Sequence, residues 1–117
     1  MILRGQVREF IEKDGTSDKK ALVISDNDRV RTKTASVLVT RQYSSGNAMA
    51  SFTIDGEEYF VNCHMVTYCT VNRLGDLVGE VENMDEIDDK IMKALGLWKY
   101  KGAYEILKDY VQGKEEK

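Results

Sequence analysis

Ala21-Leu22-Val23-Ile24-Ser25 and Ala35-Ser36-Val37-Leu38-Val39-Thr40 are the two stretches whose reading decides the fold. Each is a short apolar run bounded by turn and charge signals, and each therefore reads as a buried strand. Lys19 and Lys20 precede the first, while Arg41 and Gln42 follow the second. Polar groups thus stand where each strand leaves the core, the usual place for a site on a small β-barrel. Cations at one strand end and Thr40 at the other could together hold a phosphate.

Outward from this pair the chain runs strands first and helices last. Gln6-Val7-Arg8-Glu9-Phe10-Ile11 alternates polar and apolar residues and reads as a half-buried strand. Lys13 to Asp18 is a polar, turn-rich loop leading to Ala21. Asp26-Asn27-Asp28 forms a further turn, and Arg29 to Lys33 makes a basic connection to Ala35. After a loop at Tyr43–Asn47, Ala50–Ile54 and Glu58–Asn62 flank Asp55-Gly56, a tight-hairpin signal. Val66–Val71 and Asp76–Val81 are expected as two more strands. Asn83 can cap a helix, with Glu86 three residues on as in a capping box. Met84, Ile87, Ile91 and Leu95 then form one apolar stripe to cover a barrel end, and Gly96 suits the residue that terminates the helix. A second helix is expected between Gly102 and Gly113, with Trp98 and Tyr100 as packing residues that anchor it. The fold class is mainly β: a β-barrel with C-terminal helices. Residues 1–98 make the barrel domain, including helix 84–95, and residues 99–117 a helical extension packed on it.

Composition agrees with one globular domain. A chain of 117 residues buries roughly two-thirds of its unfolded surface, and a hydrophobic fraction of 42% argues against disorder. No apolar run approaches the roughly 20 residues that cross a bilayer. Charged residues from Arg4 onward argue against a signal peptide, so a cytoplasmic protein with no membrane partner is expected. Cys63 and Cys69 fall in strand-like apolar segments and read as reduced core thiols. One histidine and no clustered cysteine give no metal site, and no cofactor is expected. The net charge is −3, but it is unevenly distributed. Residues 1–53 hold 9 Lys/Arg against 6 Asp/Glu, whereas residues 54–98 hold 3 against 10. The basic half contains the two opening strands, which is compatible with an anionic ligand on one face.

In order along the chain, these residues resemble the MazF/PemK/Kid toxin family. Arg4-Gly5 followed by Ala21–Ser25 is similar to the family's opening strands. Val37-Leu38-Val39-Thr40-Arg41-Gln42 resembles its apolar strand ending in T-x-Q. Phe60-Val61-Asn62-Cys63-His64-Met65-Val66-Thr67 stands where the family has a V-x-x-D-Q-x-R-T-like strand. Val71-Asn72-Arg73-Leu74 before Val78-Gly79 is similar to its R-L-x-x-x-x-G turn, and Ala94-Leu95-Gly96-Leu97 to the end of its final helix. The likeness spans about residues 3 to 97.

The resemblance implies an SH3-like barrel, usually a homodimer, acting as a metal-independent, sequence-selective endoribonuclease that cuts single-stranded RNA at short sequences and is restrained by a cognate antitoxin. Such cleavage uses the ribose 2′-OH as nucleophile and needs a base, an acid and charge stabilisation for the phosphorane. Carried onto this chain, Lys19, Thr40 and His64 take the catalytic positions. Lys20, Arg41, Gln42, Asn62 and the loop residues Thr16 and Ser17 take the RNA-binding ones. Two departures from the family pattern stand out. Lys19 replaces a strand-opening arginine, which keeps the charge but loses the bidentate fork. Asn62 and His64 replace an arginine and an aspartate; asparagine cannot move protons, whereas an imidazole can. The alternative is a non-catalytic barrel, degenerate or CcdB-like, that binds RNA or a protein partner.

Overall fold

Among the described residues, six strands run between Gln6 and Glu80 and a helix follows them. The computed structural model describes residues 2–25, 33–42, 46 and 48–96. Its elements are β1 (Gln6–Phe10), β2 (Lys19–Val23), β3 (Thr34–Arg41), β4 (Met49–Ile54), β5 (Glu57–Thr70), β6 (Leu74–Glu80) and α1 (Asp85–Ala94). Paired strands are antiparallel throughout, in the order β4-β5-β3-β2-β1-β6. The sheet curls until its outer strands meet through side chains. Ile54 of β4 lies so close to Gly79 of β6 that a Cβ there would stand 2.5 Å from Ile54 Cγ2. The result is the expected barrel.

β2 and β3 read as unbroken apolar runs because both of their faces are covered. Leu22 and Leu38 pair across the strands and join Val7, Phe52, Val61, Cys63 and the helical Ile87 in one core. Their neighbours Ala21, Val23 and Val37 point the other way, into a second core with Phe10, Cys69 and Leu74. Cys63 and Cys69 are free and buried, as their apolar surroundings suggested. The β4–β5 turn falls at Asp55-Gly56, whose φ values of 51° and 82° are those of a tight primed turn.

β5 departs from expectation. Glu58–Asn62 and Val66–Thr70 are not two strands but parts of one, running from Glu57 to Thr70, and Val71 opens a short 3-10 turn. Leu38 faces Val66 while Thr40 faces Val61, so β5 bulges around residues 62–65 between the two pairs. A bulge bends a strand without ending it, which lets β5 pair with β4 over Glu57–Asn62 and with β3 on both sides of the bulge. Lys19 and Lys20 likewise lie inside β2, as its first two residues, not before it.

The helix ends as its sequence signals, but at its start the cap position is Met84, with no side-chain cap bond, not Asn83 in a box with Glu86; Asn83 stands one residue earlier. Asn83 Oδ1 accepts the Asp85 amide at 2.9 Å, and Gly96, at φ 73°, turns the chain away. Met84, Ile87, Ile91 and Ala94 pack on the barrel core. Leu95 does not: it follows the last helical residue and is 47% exposed. Arg4 pairs with Asp88 and also donates to the Ile24 carbonyl, tying α1 to the start of the chain. Tyr43, Trp98, Tyr100, the expected helix between 102 and 113 and the whole 99–117 extension lie outside the described residues.

Candidate functional site

The pairing of β2 with β3 runs out after Ala21 and Val39, and the next amide on β2 needs another acceptor. Thr40 supplies it: the Lys20 amide donates to Thr40 Oγ1 at 3.0 Å. This bond brings the start of β2 against the end of β3. There a cleft of about 890 Å³ opens, with Lys19, Lys20, Thr40, Arg41, Gln42 and Asn62 in its lining. Six of the nine residues picked out by sequence are thus gathered in one place. The threonine is almost fully buried, so its hydroxyl is held in one position.

The other three do not line it. Thr16 is occupied within its own loop, where its amide and hydroxyl both donate to Asp14 Oδ1, at 3.0 and 2.7 Å. Those two bonds hold the Asp14 carboxyl below the usual carboxylate range. Ser17 also lies outside the lining, although Asp18 beside it is part of the wall. His64 is exposed on the β5 bulge, next to Met65, which does line the cleft. The bulge places it there: Asn62 Oδ1 turns back to accept the His64 amide at 2.9 Å.

The cleft has two unlike walls. Lys19, Lys20 and Arg41 make one of them basic. Lys19 is lightly restrained by Glu12, 3.5 Å away, and the Arg41 guanidinium lies against Met65 Sδ. Beside it, on the strand next to β3, the stem of the β4–β5 hairpin contributes Glu57, Glu58, Tyr59 and Phe60. Tyr59 stacks on Phe52, with ring centroids 5.6 Å apart, and its hydroxyl donates to Glu57 Oε2 at 3.1 Å. Burial, then the neighbouring carboxylate, pushes the Tyr59 phenol up from its ordinary value. Sequence reasoning missed this second wall. Asp55-Gly56 announced the hairpin, but nothing local announced that Phe60 would pair with Arg41 across a bulged register. Among the described residues, no three His, Cys, Asp or Glu side chains converge as a metal ion would require.

No family model matches the chain, and no curated protein matches it in sequence. Solved structures do. An endoribonuclease from a mycobacterial species, in complex with its cognate antitoxin, superposes with a TM-score of 0.72 at 25% identity. That match covers 83% of this chain and 97% of the other. A second mycobacterial endoribonuclease gives a TM-score of 0.69, again at 25% identity, covering 82% and 92%. The six-stranded antiparallel barrel with its C-terminal helix is therefore the fold of this class of ribonuclease structures. Among the described residues no helix is long and apolar enough to cross a membrane.

Proposed function

We propose that the chain is the toxin of a toxin–antitoxin pair, a metal-independent endoribonuclease of the MazF type acting on single-stranded RNA in the cytoplasm. One observation carries the reading: the Lys20–Thr40 bond gathers three cations and a fixed hydroxyl in one cleft, on a barrel shared with two endoribonucleases. Lys19, Lys20 and Arg41 neutralise the scissile phosphate. Thr40 Oγ1 accepts from the Lys20 amide, which leaves its own hydrogen to donate to a phosphate oxygen. The ribose 2′-OH attacks the phosphorus and the 5′-oxygen leaves. His64 moves the proton for a strand that leaves the cleft over Met65, and loop 13–18 gates access. Gln42 and Asn62 hold the flanking nucleotides.

The partners in this reading are a second copy of the chain and a cognate antitoxin. An apolar strip on β5 favours them, because Met65, Val66 and Tyr68 are exposed and Tyr68 is 71% accessible. The second reading, a barrel that binds RNA or protein without cutting, is favoured by the position of His64 outside the cleft lining.

One experiment separates the two readings. Mixed single-stranded RNA is incubated with the protein with and without EDTA, and the new 5′ ends are mapped. EDTA-resistant cuts at a fixed short sequence, lost in Thr40→Val and kept in Thr40→Ser, support the ribonuclease. Intact RNA at high protein concentration supports the binder.

A further inference from the structure

The cleft's acidic wall is what a phosphate site alone does not explain. A polyanion is repelled by carboxylates, so Glu58 in the same lining as Lys19 and Arg41 weakens non-specific RNA binding. A carboxylate in such a place can accept hydrogen bonds from the amino and imino groups of a base. The strand register shows where that base would sit. Arg41 pairs with Phe60, so the two side chains share one face of the sheet. Glu58 and Asn62, each two residues from Phe60 along β5, project to that same face. All four line the cleft, and Phe60 is half-buried. Asn62 has committed its Oδ1 to the His64 amide, which leaves its NH2 group to donate.

We propose that Phe60, flanked by Glu58 and Asn62, is a nucleobase subsite selective for guanine, a proposal that rests on the ribonuclease reading above. The ring stacks on Phe60, as unpaired bases do on aromatic platforms. Glu58 accepts from guanine N1–H and the 2-amino group, a two-donor edge that no other common base offers. Asn62 donates to the acceptors O6 and N7 on the far edge. Glu58 and Asn62 stand about 13 Å apart along the strand, a span that a purine with a hydrogen bond at either edge fills. The attached phosphate then falls on the side of Arg41, which keeps the polyanion away from the carboxylate.

The test uses the whole chain and two readouts. Cleavage sites on mixed RNA are mapped for the wild type, Glu58→Gln and Phe60→Leu. Binding is measured to a 2′-O-methyl oligonucleotide of the mapped site, which cannot be cut, with guanine or inosine at the selected position. The wild type is expected to require guanine at one position and to bind the inosine strand about tenfold more weakly, since inosine lacks the 2-amino donor. Glu58→Gln should lose that discrimination, and Phe60→Leu should weaken binding to both strands alike by about tenfold. Both variants should melt with the wild type. Cleavage at sites without a fixed guanine, or discrimination unchanged in Glu58→Gln, overturns the subsite while leaving the ribonuclease standing. A wild type that neither cuts nor binds RNA overturns both.

Discussion

Lys20 and Thr40 are joined main chain to side chain, the Lys20 amide donating to Thr40 Oγ1 at 3.0 Å across the open end of the β2–β3 ladder. The same hydroxyl that would face a phosphate also finishes the sheet. Thr40→Val keeps the side-chain volume but leaves the Lys20 amide without that acceptor, at a cost of about 1–3 kcal/mol. Thr40→Ser keeps the oxygen and should retain both stability and RNA cleavage. Urea denaturation alongside a growth-inhibition assay checks this. A Thr40→Val protein as stable as the wild type would mean the bond contributes nothing to the fold.

Lys19 and Arg41 are expected to act through charge. If each meets a phosphate, Lys19→Ala and Arg41→Ala will each weaken single-stranded RNA binding by a similar factor for every sequence. Each should also lower the slope of log affinity against log salt by about 0.7. A salt titration with two unrelated oligonucleotides reads both effects. Weakening confined to one sequence would assign the residue to a base instead.

Gly79 is required by packing. Its Cα faces Ile54, and an added Cβ would meet Ile54 Cγ2 at 2.5 Å and Cδ1 at 3.1 Å. Gly79→Ala should therefore destabilise the barrel by about 1–3 kcal/mol through overpacking at the β4–β6 seam. Combining it with Ile54→Ala, which removes Cγ2 and Cδ1 together, should make the double variant's loss smaller than the sum of the two single losses. Denaturation midpoints of the two single variants and the double variant decide it. Additive losses would place the strain elsewhere.

These positions mark what was legible in the sequence and what was not. β2 and β3 were legible because both faces are buried, so hydrophobicity alone marked them. The Asp55-Gly56 turn and the Gly96 helix end were legible because each is a local backbone demand met by a residue suited to it. Lys19, Lys20, Thr40, Arg41 and Gln42 converge because adjacent antiparallel strands bring one start beside the other's end. The hairpin wall of Glu58 and Phe60 was not legible. It reaches the cleft through a register that changes at the β5 bulge, and the bulge arises from tertiary pairing with β3 and β4 at once. His64 stands where it does for the same reason: the bulge carries it out of the lining that Asn62 and Met65 share.

Cys63 and Cys69 give the fold a dependence on alkaline pH. Burial pushes both thiols up from their ordinary value, and the charges of Lys90 and Arg73 oppose this more weakly. An unfolded cysteine ionises near 8.5. Above that pH the unfolded chain releases protons that the folded chain retains, so stability is full below about 8.5 and falls as pH rises. The double variant Cys63→Ala/Cys69→Ala will be less stable at neutral pH because it leaves cavities in both cores. Its melting temperature should nevertheless decline less between pH 8 and pH 10 than that of the wild type, as lysine and tyrosine titration is common to both proteins. Parallel slopes for the two proteins would remove the thiols as the cause. Alkylation by iodoacetamide is an independent check. It should be slow in buffer and fast in urea, because Cys63 is fully buried and Cys69 nearly so.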